Sequence, residues 1–339
     1  MSDDAQRTLL FPFESGEIDP PAAGDRLLCF NPAAGFRLSP AFPVSPAMVQ
    51  PSRPDFLALA AAGFPVEPRA TGEAFDGALV RAGRHRQQNE GWIADAVRRV
   101  RPGGLVVVAG MKSDGAASLR KRLGSLVPLE GQASKYHGVV FWFRAPGGEA
   151  SVRLAGTLAP EATVIAEGFR TAPGMFSHEH VDPGSRLLAE NLPAMLGRRV
   201  ADFGAGWGYL SAKVVEMCDG LSGIDLYEAD FNALGAARTN VRAVEGVEIG
   251  FYWRDLLREN PERRYDAIVM NPPFHRARAA DIGLGAGMIR AAAAALEPGG
   301  LLYMVANRQL PYEAVLGDVF AQAVEIASGE GFKVIRARR

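Results

Sequence analysis

The sequence predicts an α/β protein made of two tandem Rossmann-like halves, the first a degenerate copy of the second. Three observations predict it: strands and helices alternate through the second half, a glycine turn Asp202-x-Gly204-x-Gly206-x-Gly208 follows the first of those strands, and segments of the first half recur in the second. At 339 residues the chain also exceeds the usual size of one hydrophobic core.

In the second half, Val200 to Phe203 is a short apolar run that ends in glycines, Leu210 to Met217 has helical periodicity, and Leu221 to Tyr227 reads as the next strand. Val247 to Tyr252, Tyr265 to Met270 and Leu301 to Ala306 supply three more strands. An alanine-rich helix from about Ile289 to Leu296 leads into the last of these, and Glu297-Pro298-Gly299-Gly300 turns the chain. Val324 to Ala327 and Phe332 to Ile335 flank Ser328-Gly329-Glu330-Gly331, a hairpin signal. The result is a mostly parallel sheet with a terminal hairpin.

The first half repeats this pattern. Phe75-Asp76-Gly77-Ala78-Leu79-Val80 matches Tyr265-Asp266-Ala267-Ile268-Val269-Met270 without a gap, and Pro102-Gly103-Gly104-Leu105 parallels Pro298-Gly299-Gly300-Leu301. The site residues do not carry across: Arg81-Ala82-Gly83-Arg84-His85 stands where the second half has Asn271-Pro272-Pro273-Phe274-His275. The best glycine-turn candidate of the first half, Phe30-Asn31-Pro32-Ala33-Ala34-Gly35, lacks the acidic residue and the spacing. The expected division is 1–155 and 156–339, with Ala145-Pro146-Gly147-Gly148 closing the first domain after a strand over Val139 to Arg144.

Composition excludes several classes. A net charge of −1 argues against a chain that coats nucleic acid as a whole, and 48% apolar with 22% charged residues is a globular balance. Cys29 and Cys218 have neither metal-ligand spacing nor disulfide density, so no metal is expected and a reducing cytoplasm is. The longest apolar runs are strand-sized, which predicts no membrane span. A monomer is expected.

Alternate glycines let a chain turn sharply from strand to helix and bring its backbone against a ligand. The spacing differs from the G-x-G-x-x-G that cradles a pyrophosphate, and no P-loop lysine follows. Glu228, ending the second strand, stands where a carboxylate accepts from ribose hydroxyls. Asp225 falls within that strand, and Asp230 opens the next helix as an N-cap candidate. Asp202 is read as orienting the turn and the amino-acid portion of the ligand. Asp255, after the third strand, either accepts from an adenine amino group or caps its own loop.

Asn271-Pro272-Pro273-Phe274 follows a strand at the carboxyl edge of the sheet, where open α/β folds bind ligands. The prolines fix backbone dihedrals and withhold N–H groups, leaving the Asn271 side-chain oxygen and the Pro272 carbonyl as acceptors for an NH2 group. A conjugated amine is a poor nucleophile, and two such hydrogen bonds favour a pyramidal nitrogen aimed at an electrophilic methyl. Phe274 would stack on a planar, unpaired target, the alternative being a rigid turn with Phe274 in the core. His275 is assigned a positioning role ahead of general base. Trp207 and Phe176 are read as lining or core residues.

These residues resemble the class I S-adenosylmethionine-dependent methyltransferases, and within them the bacterial ribosomal RNA guanine-N2 methyltransferases. The likeness is carried by Phe176-Ser177 through Asp182-Pro183-Gly184-Ser185-Arg186-Leu187-Leu188, the glycine turn, Asn271 to His275, and Val305-Ala306-Asn307 followed by Leu310-Pro311-Tyr312. The segment Arg276-Ala277-Arg278-Ala279-Ala280-Asp281 departs from the family. The resemblance implies two tandem Rossmann-like class I methyltransferase domains, the N-terminal one degenerate and assisting RNA binding. It implies S-adenosylmethionine as cofactor, held by Asp202, Gly204, Gly206, Gly208, Glu228, Asp255 and Asn271. It further implies guanine N2 in ribosomal RNA, or in the small ribosomal subunit, as target. A large-subunit guanine, adenine N6, the amide of a protein glutamine and a non-catalytic RNA-binding module are the alternatives. Between Arg81 and Arg122 ten basic residues face three acidic ones, which makes Arg81, Arg84 and Arg86 candidate phosphate contacts.

Overall fold

The computed structural model describes residues 4–38, 42–273 and 279–339. It divides into two compact units, Met1–Glu161 and Ala162–Arg339. The first contains α1 (Asp4–Glu14), β1 (Leu27–Phe30), β2 (Ala47–Val49), α2 (Arg53–Ala61), β3 (Val66–Glu67), β4 (Phe75–Arg81), α3 (Arg86–Arg99), β5 (Val100–Met111), α4 (Ala116–Gly124), β6 (Gly131–Lys135), β7 (Gly138–Arg144) and α5 (Gly148–Leu158). The second opens with a small antiparallel pair, β8 (Thr163–Val164) and β9 (Arg170–Thr171). It continues through α6 (Pro183–Glu190), β10 (Arg199–Phe203), α7 (Tyr209–Met217), β11 (Gly223–Glu228), α8 (Phe231–Asn240), β12 (Glu248–Trp253), β13 (Tyr265–Met270), α9 (Ala279–Ala295), β14 (Leu296–Asn307), α10 (Glu313–Val319), β15 (Gln322–Gly329) and β16 (Phe332–Arg338).

Both units carry a seven-stranded sheet of one topology, β3-β2-β1-β4-β5-β7-β6 and β12-β11-β10-β13-β14-β16-β15. In each the first four strand pairs are parallel and the last two antiparallel. The sequence repeats mark the same irregularity. Between β4 and β5 the register slips between Phe75 and Gly77, and between β13 and β14 it slips between Tyr265 and Ala267. The first glycine of each Pro-Gly-Gly takes a left-handed φ, 77° at Gly103 and 80° at Gly299. A Cβ on the second would lie 2.6 Å from the Asp76 carbonyl oxygen at Gly104 and 3.1 Å from that of Asp266 at Gly300, so only glycine passes easily. The two aspartates close the opposite side: Asp76 Oδ2 accepts from the Arg26 amide, and Asp266 Oδ2 from the amides of Arg198 and Arg199. A shared strand order with a shared bulge is the signature of duplication, which independent matches of short motifs would not reproduce.

Strand alternation splits each core between the two faces of its sheet. In the second unit Val200, Ile224, Leu226, Val269 and Val305 pack with α6, α7 and α8, while Ala201, Phe203, Tyr227, Ile268, Met270 and Met304 pack with α9 and α10. In the first unit α3, α4 and α5 cover one face, and α1 and α2 the other. Leu154, Ala155 and Leu158 of α5 belong to that first core, and so the compact unit runs to 161 and not 155. Helix α9 is longer than its expected range and ends at Ala295, with Leu296 already in β14. Three glycines, Gly283, Gly285 and Gly287, masked its first half in the sequence. A Cβ at Gly285 would meet the Tyr312 hydroxyl at 2.0 Å, so the glycine serves close packing there.

No described helix is long and apolar enough to cross a membrane.

Candidate active site

The carboxyl ends of β10, β11 and β13 bring the candidate residues of the second unit to one sheet edge. After Phe203 the chain turns through Gly204, Gly206 and Gly208 with φ of 76°, 55° and 91°, values that side chains disfavour. The turn is tied to the neighbouring strand: the Gly204 and Ala205 amides donate to the Tyr227 carbonyl at 2.8 and 3.0 Å. A Cβ on Gly208 would lie 3.0 Å from Ala237 and from Val241, whereas one on Gly206 meets nothing within 4 Å. Gly208 therefore serves packing against α8, and Gly206 leaves the outer face of the turn open.

Glu228 ends β11 and faces that turn. Its Oε2 accepts from the Gly206 amide at 2.7 Å and its Oε1 from the Asp230 amide at 2.8 Å. Each oxygen keeps a second lone pair for a ligand hydroxyl. Burial pushes the carboxyl up to about 7, with the nearby Asp230 charge adding to the shift against the amide hydrogen bonds. Asp230 is the N-cap of α8, accepting from Asn232 and Ala233, and Asp225 is paired inside the sheet with the Tyr265 hydroxyl and Arg263. Glu228 is thus the one of the three carboxylates left to face the turn.

Asp202 is fully buried in β10. Its Oδ2 accepts from the Ser211 hydroxyl of α7 at 2.7 Å while Oδ1 has no partner among the described residues. Burial, reinforced by the Glu228 charge, raises its carboxyl to about 7. It anchors α7 to the turn. Asp255 is engaged in its own loop: Oδ1 accepts from the Leu257 amide at 3.1 Å, and Oδ2 lies 3.7 Å from Arg258.

Asn271 leaves β13 at the same edge. Its amide nitrogen donates to Asp182 Oδ2 at 2.9 Å and to the Ser185 hydroxyl oxygen at 2.8 Å, both on the first turn of α6, while its Oδ1 is buried with no partner among the described residues. Pro272 is buried beside it, whereas Phe274 and His275 lie outside the described residues. Asp182 and Ser185 belong to the stretch that carries the family likeness, with no role of their own legible in the sequence. Asp-Pro is an N-cap signature, and Asp182 does cap α6 through the Ser185 amide at 2.8 Å. Its second partner, 89 residues away, carries no local signal. Trp207 is core, its ring tilted against Phe169 and edge-on to Tyr209. Phe176 is not: the residue is 46% exposed, and what it contributes is its carbonyl, which accepts from the Trp207 indole at 2.9 Å.

A model of the methyltransferase small domain matches residues 167–336, half of the chain. The chain belongs to the methyltransferase small domain family. A ribosomal RNA small subunit methyltransferase C of Chromohalobacter salexigens is 38% identical over 196 residues, which cover 55% of this chain and 57% of that protein. The protein of the same name from Shewanella halifaxensis is 29% identical over 244 residues, 70% of each chain. The solved T. thermophilus 16S rRNA N2 G1207 methyltransferase, in complex with AdoMet and guanosine, is 25% identical and superposes with a TM-score of 0.77 over 99% of this chain and 92% of that one.

Within the family fold the first unit has lost the site position by position. Phe30 pairs with Val49 as Phe203 pairs with Tyr227, which puts Cys29 where the second unit has Asp202 and Gln50 where it has Glu228. The Gln50 amide donates to the Pro32 carbonyl at 2.7 Å and its oxygen accepts from the Ser52 amide, so a buried self-satisfied side chain replaces a ligand-facing one. Phe30 pairs with Val80 as Phe203 pairs with Met270, which puts Arg81 where Asn271 stands. Asn31, at the start of the former turn, donates to the Arg81 carbonyl at 3.0 Å. Burial pushes the Cys29 thiol up, so it stays neutral. The Arg84 and Arg86 side chains are exposed, Arg84 lying 3.3 Å from the partly exposed Asp114 and Arg86 3.7 Å from the buried Glu90, which Arg122 also holds at 2.8 Å.

Proposed function

We propose that the second unit transfers the methyl group of S-adenosylmethionine to the exocyclic N2 of a guanine in small-subunit ribosomal RNA, and that the first unit helps to hold that RNA. The observation that carries the reading is the Oδ1 of Asn271 at the carboxyl end of β13, buried and without a partner among the described residues. An unsatisfied buried acceptor costs about 1–3 kcal/mol, and a ligand that brings an N–H into that position relieves the cost. The guanine N2 target follows the name of the T. thermophilus relative and the guanosine bound to it.

The residues present suit the cofactor: the open turn at Gly206 admits backbone-close contact, and Glu228 has lone pairs to spare for ribose hydroxyls. S-adenosylmethionine, when bound, supplies an electrophilic methyl on a sulfonium leaving group. Asp202 keeps α7 and the turn in register through Ser211. Asn271 Oδ1 accepts one N–H of the target amine, with the Pro272 carbonyl as the second acceptor, so that the nitrogen lone pair is aimed along the line of transfer. The proton is released to water after the methyl has moved.

Incubation with labelled S-adenosylmethionine and small subunits, large subunits, naked RNA or total protein, followed by nucleoside analysis, tests this reading. N2-methylguanosine in small-subunit RNA is expected. Label confined to protein, to large-subunit RNA or to adenine would overturn it. In the first unit, replacing Arg81, Arg84 and Arg86 together by alanine should weaken RNA binding and flatten its salt dependence by up to about three phosphate contacts' worth of slope. An unchanged affinity and slope in filter binding across a salt series would remove these arginines from the interface.

A further inference from the structure

We propose that Asp182 and Ser185 are positioning residues that set the orientation and acceptor strength of the Asn271 amide. The proposal rests on the reading of Asn271 as the acceptor for the target amine.

A carboxylate without its proton can only accept, so the end of the Asn271 amide that faces Asp182 is the NH2 end. Asp182 Oδ2 takes one of its hydrogens at 2.9 Å and Ser185 Oγ takes the other at 2.8 Å, which leaves no donor capacity on Asn271 unused. The amide therefore has one orientation, with Oδ1 turned away from α6 and without a partner among the described residues. An amide that could flip would present its NH2 to an incoming NH2, and two donors repel.

The charge on Asp182 does more than orient. A charge-assisted hydrogen bond to the amide nitrogen draws its lone pair further into the carbonyl, and electron density accumulates on Oδ1. That oxygen becomes a better acceptor as positive charge develops on the target nitrogen during transfer. Asp182 is itself held by the Ser185 amide on the same Oδ2, and Gly184 keeps the first turn of α6 tight, since a Cβ there would lie 2.8 Å from Phe332 and 3.1 Å from Asp182. Capping a helix and orienting an amide 89 residues away are thus two tasks of one carboxylate.

The two tasks separate in variants. Asp182→Ser retains an N-cap oxygen but is too short to reach Asn271, and Asp182→Asn retains the length without the charge. Both should keep the thermal midpoint and the cofactor KM near those of the full-length wild type, while kcat falls about 10- to 100-fold in the serine variant and about 3- to 10-fold in the asparagine variant. Ser185→Ala should lower kcat about 3- to 10-fold, with Ser185→Thr restoring it. In the Asn271→Ala background none of these changes should lower single-turnover rates further. Unchanged kcat in both Asp182 variants, or equal losses with and without Asn271, would overturn the proposal. A second readout stands apart from activity: in 15N-labelled protein, the side-chain NH2 pair lost in Asn271→Ala should exchange slowly with solvent, and markedly faster in Asp182→Ser. Equal exchange in the two proteins would overturn the positioning role even if no RNA is methylated, whereas an inert wild type with slow exchange would count against the methylation reading alone.

Discussion

Asn271→Ala should abolish steady-state methylation while leaving the protein folded and able to bind S-adenosylmethionine. The variant removes a buried acceptor at this edge that has no partner among the described residues, and with it the two hydrogen bonds to Asp182 and Ser185. Loss of a preorganised group aimed at developing charge typically lowers turnover about 10^2- to 10^3-fold, and here the same loss frees the target nitrogen to lie flat in its conjugated geometry. Helix α6 keeps its Asp182 cap, so the cost in stability is small beside the cost in rate. Calorimetric titration with the cofactor should give near wild-type affinity, and single-turnover assays with small subunits should give the rate loss. A variant that binds cofactor poorly yet turns over normally would mean that Asn271 serves the cofactor and not the target.

Glu228→Ala should have the opposite profile. Two ligand hydroxyls would lose a charged acceptor, a loss of about 1.5–3 kcal/mol that corresponds to about 10- to 150-fold in Kd. It would also leave the Gly206 and Asp230 amides without their present partner, which loosens the turn itself. The expected result is a raised Kd and a raised cofactor KM, with kcat at saturation reduced far less.

The same residue sets a pH dependence. Burial pushes the Glu228 carboxyl from its ordinary 4.5 up to about 7 in the folded protein. A raised acid contributes stability that is complete below the ordinary value and is lost as pH rises through about 7. Ligand binding runs the other way, because hydroxyl donors prefer the ionised form. Cofactor affinity should therefore increase from about pH 6 to about pH 8, and Glu228→Gln should flatten that profile. Burial also raises the Asp202 carboxyl to about 7, with the Glu228 charge adding to it, so in Glu228→Gln the pH dependence of stability should shrink but persist while that of binding disappears. A wild-type affinity that is flat across this range would assign ribose binding to another group.

Much of this site was readable before folding was considered. The strand positions of the second half followed from apolar runs broken at regular intervals, and Gly204, Gly206 and Gly208 announced a sharp turn, which takes left-handed dihedrals that other residues disfavour. The duplication was legible because its cause is local: the Asp76 and Asp266 carboxylates and the Pro-Gly-Gly bulges are needed wherever this strand pair is built. The terminal hairpin and the N-cap at Asp230 were equally local. By itself, then, the sequence determined the fold class, the twofold repeat and which half kept its chemistry.

The rest was decided by residues far apart in the chain. Position at the strand end already favoured Glu228 over Asp225, but what occupies Asp225, the Tyr265 hydroxyl and Arg263, comes from other strands and loops. The loss of the site in the first unit became physical only when Gln50 appeared in the register of Glu228, bonded to its own turn. Above all, the unfilled oxygen of Asn271 exists because Asp182 and Ser185 claim the other end of its amide. A hydrogen bond across 89 residues leaves no periodicity, spacing or propensity in the sequence, since nothing local depends on it. Only when the sheet brings α6 to the end of β13 does a common asparagine become an acceptor with one direction to point.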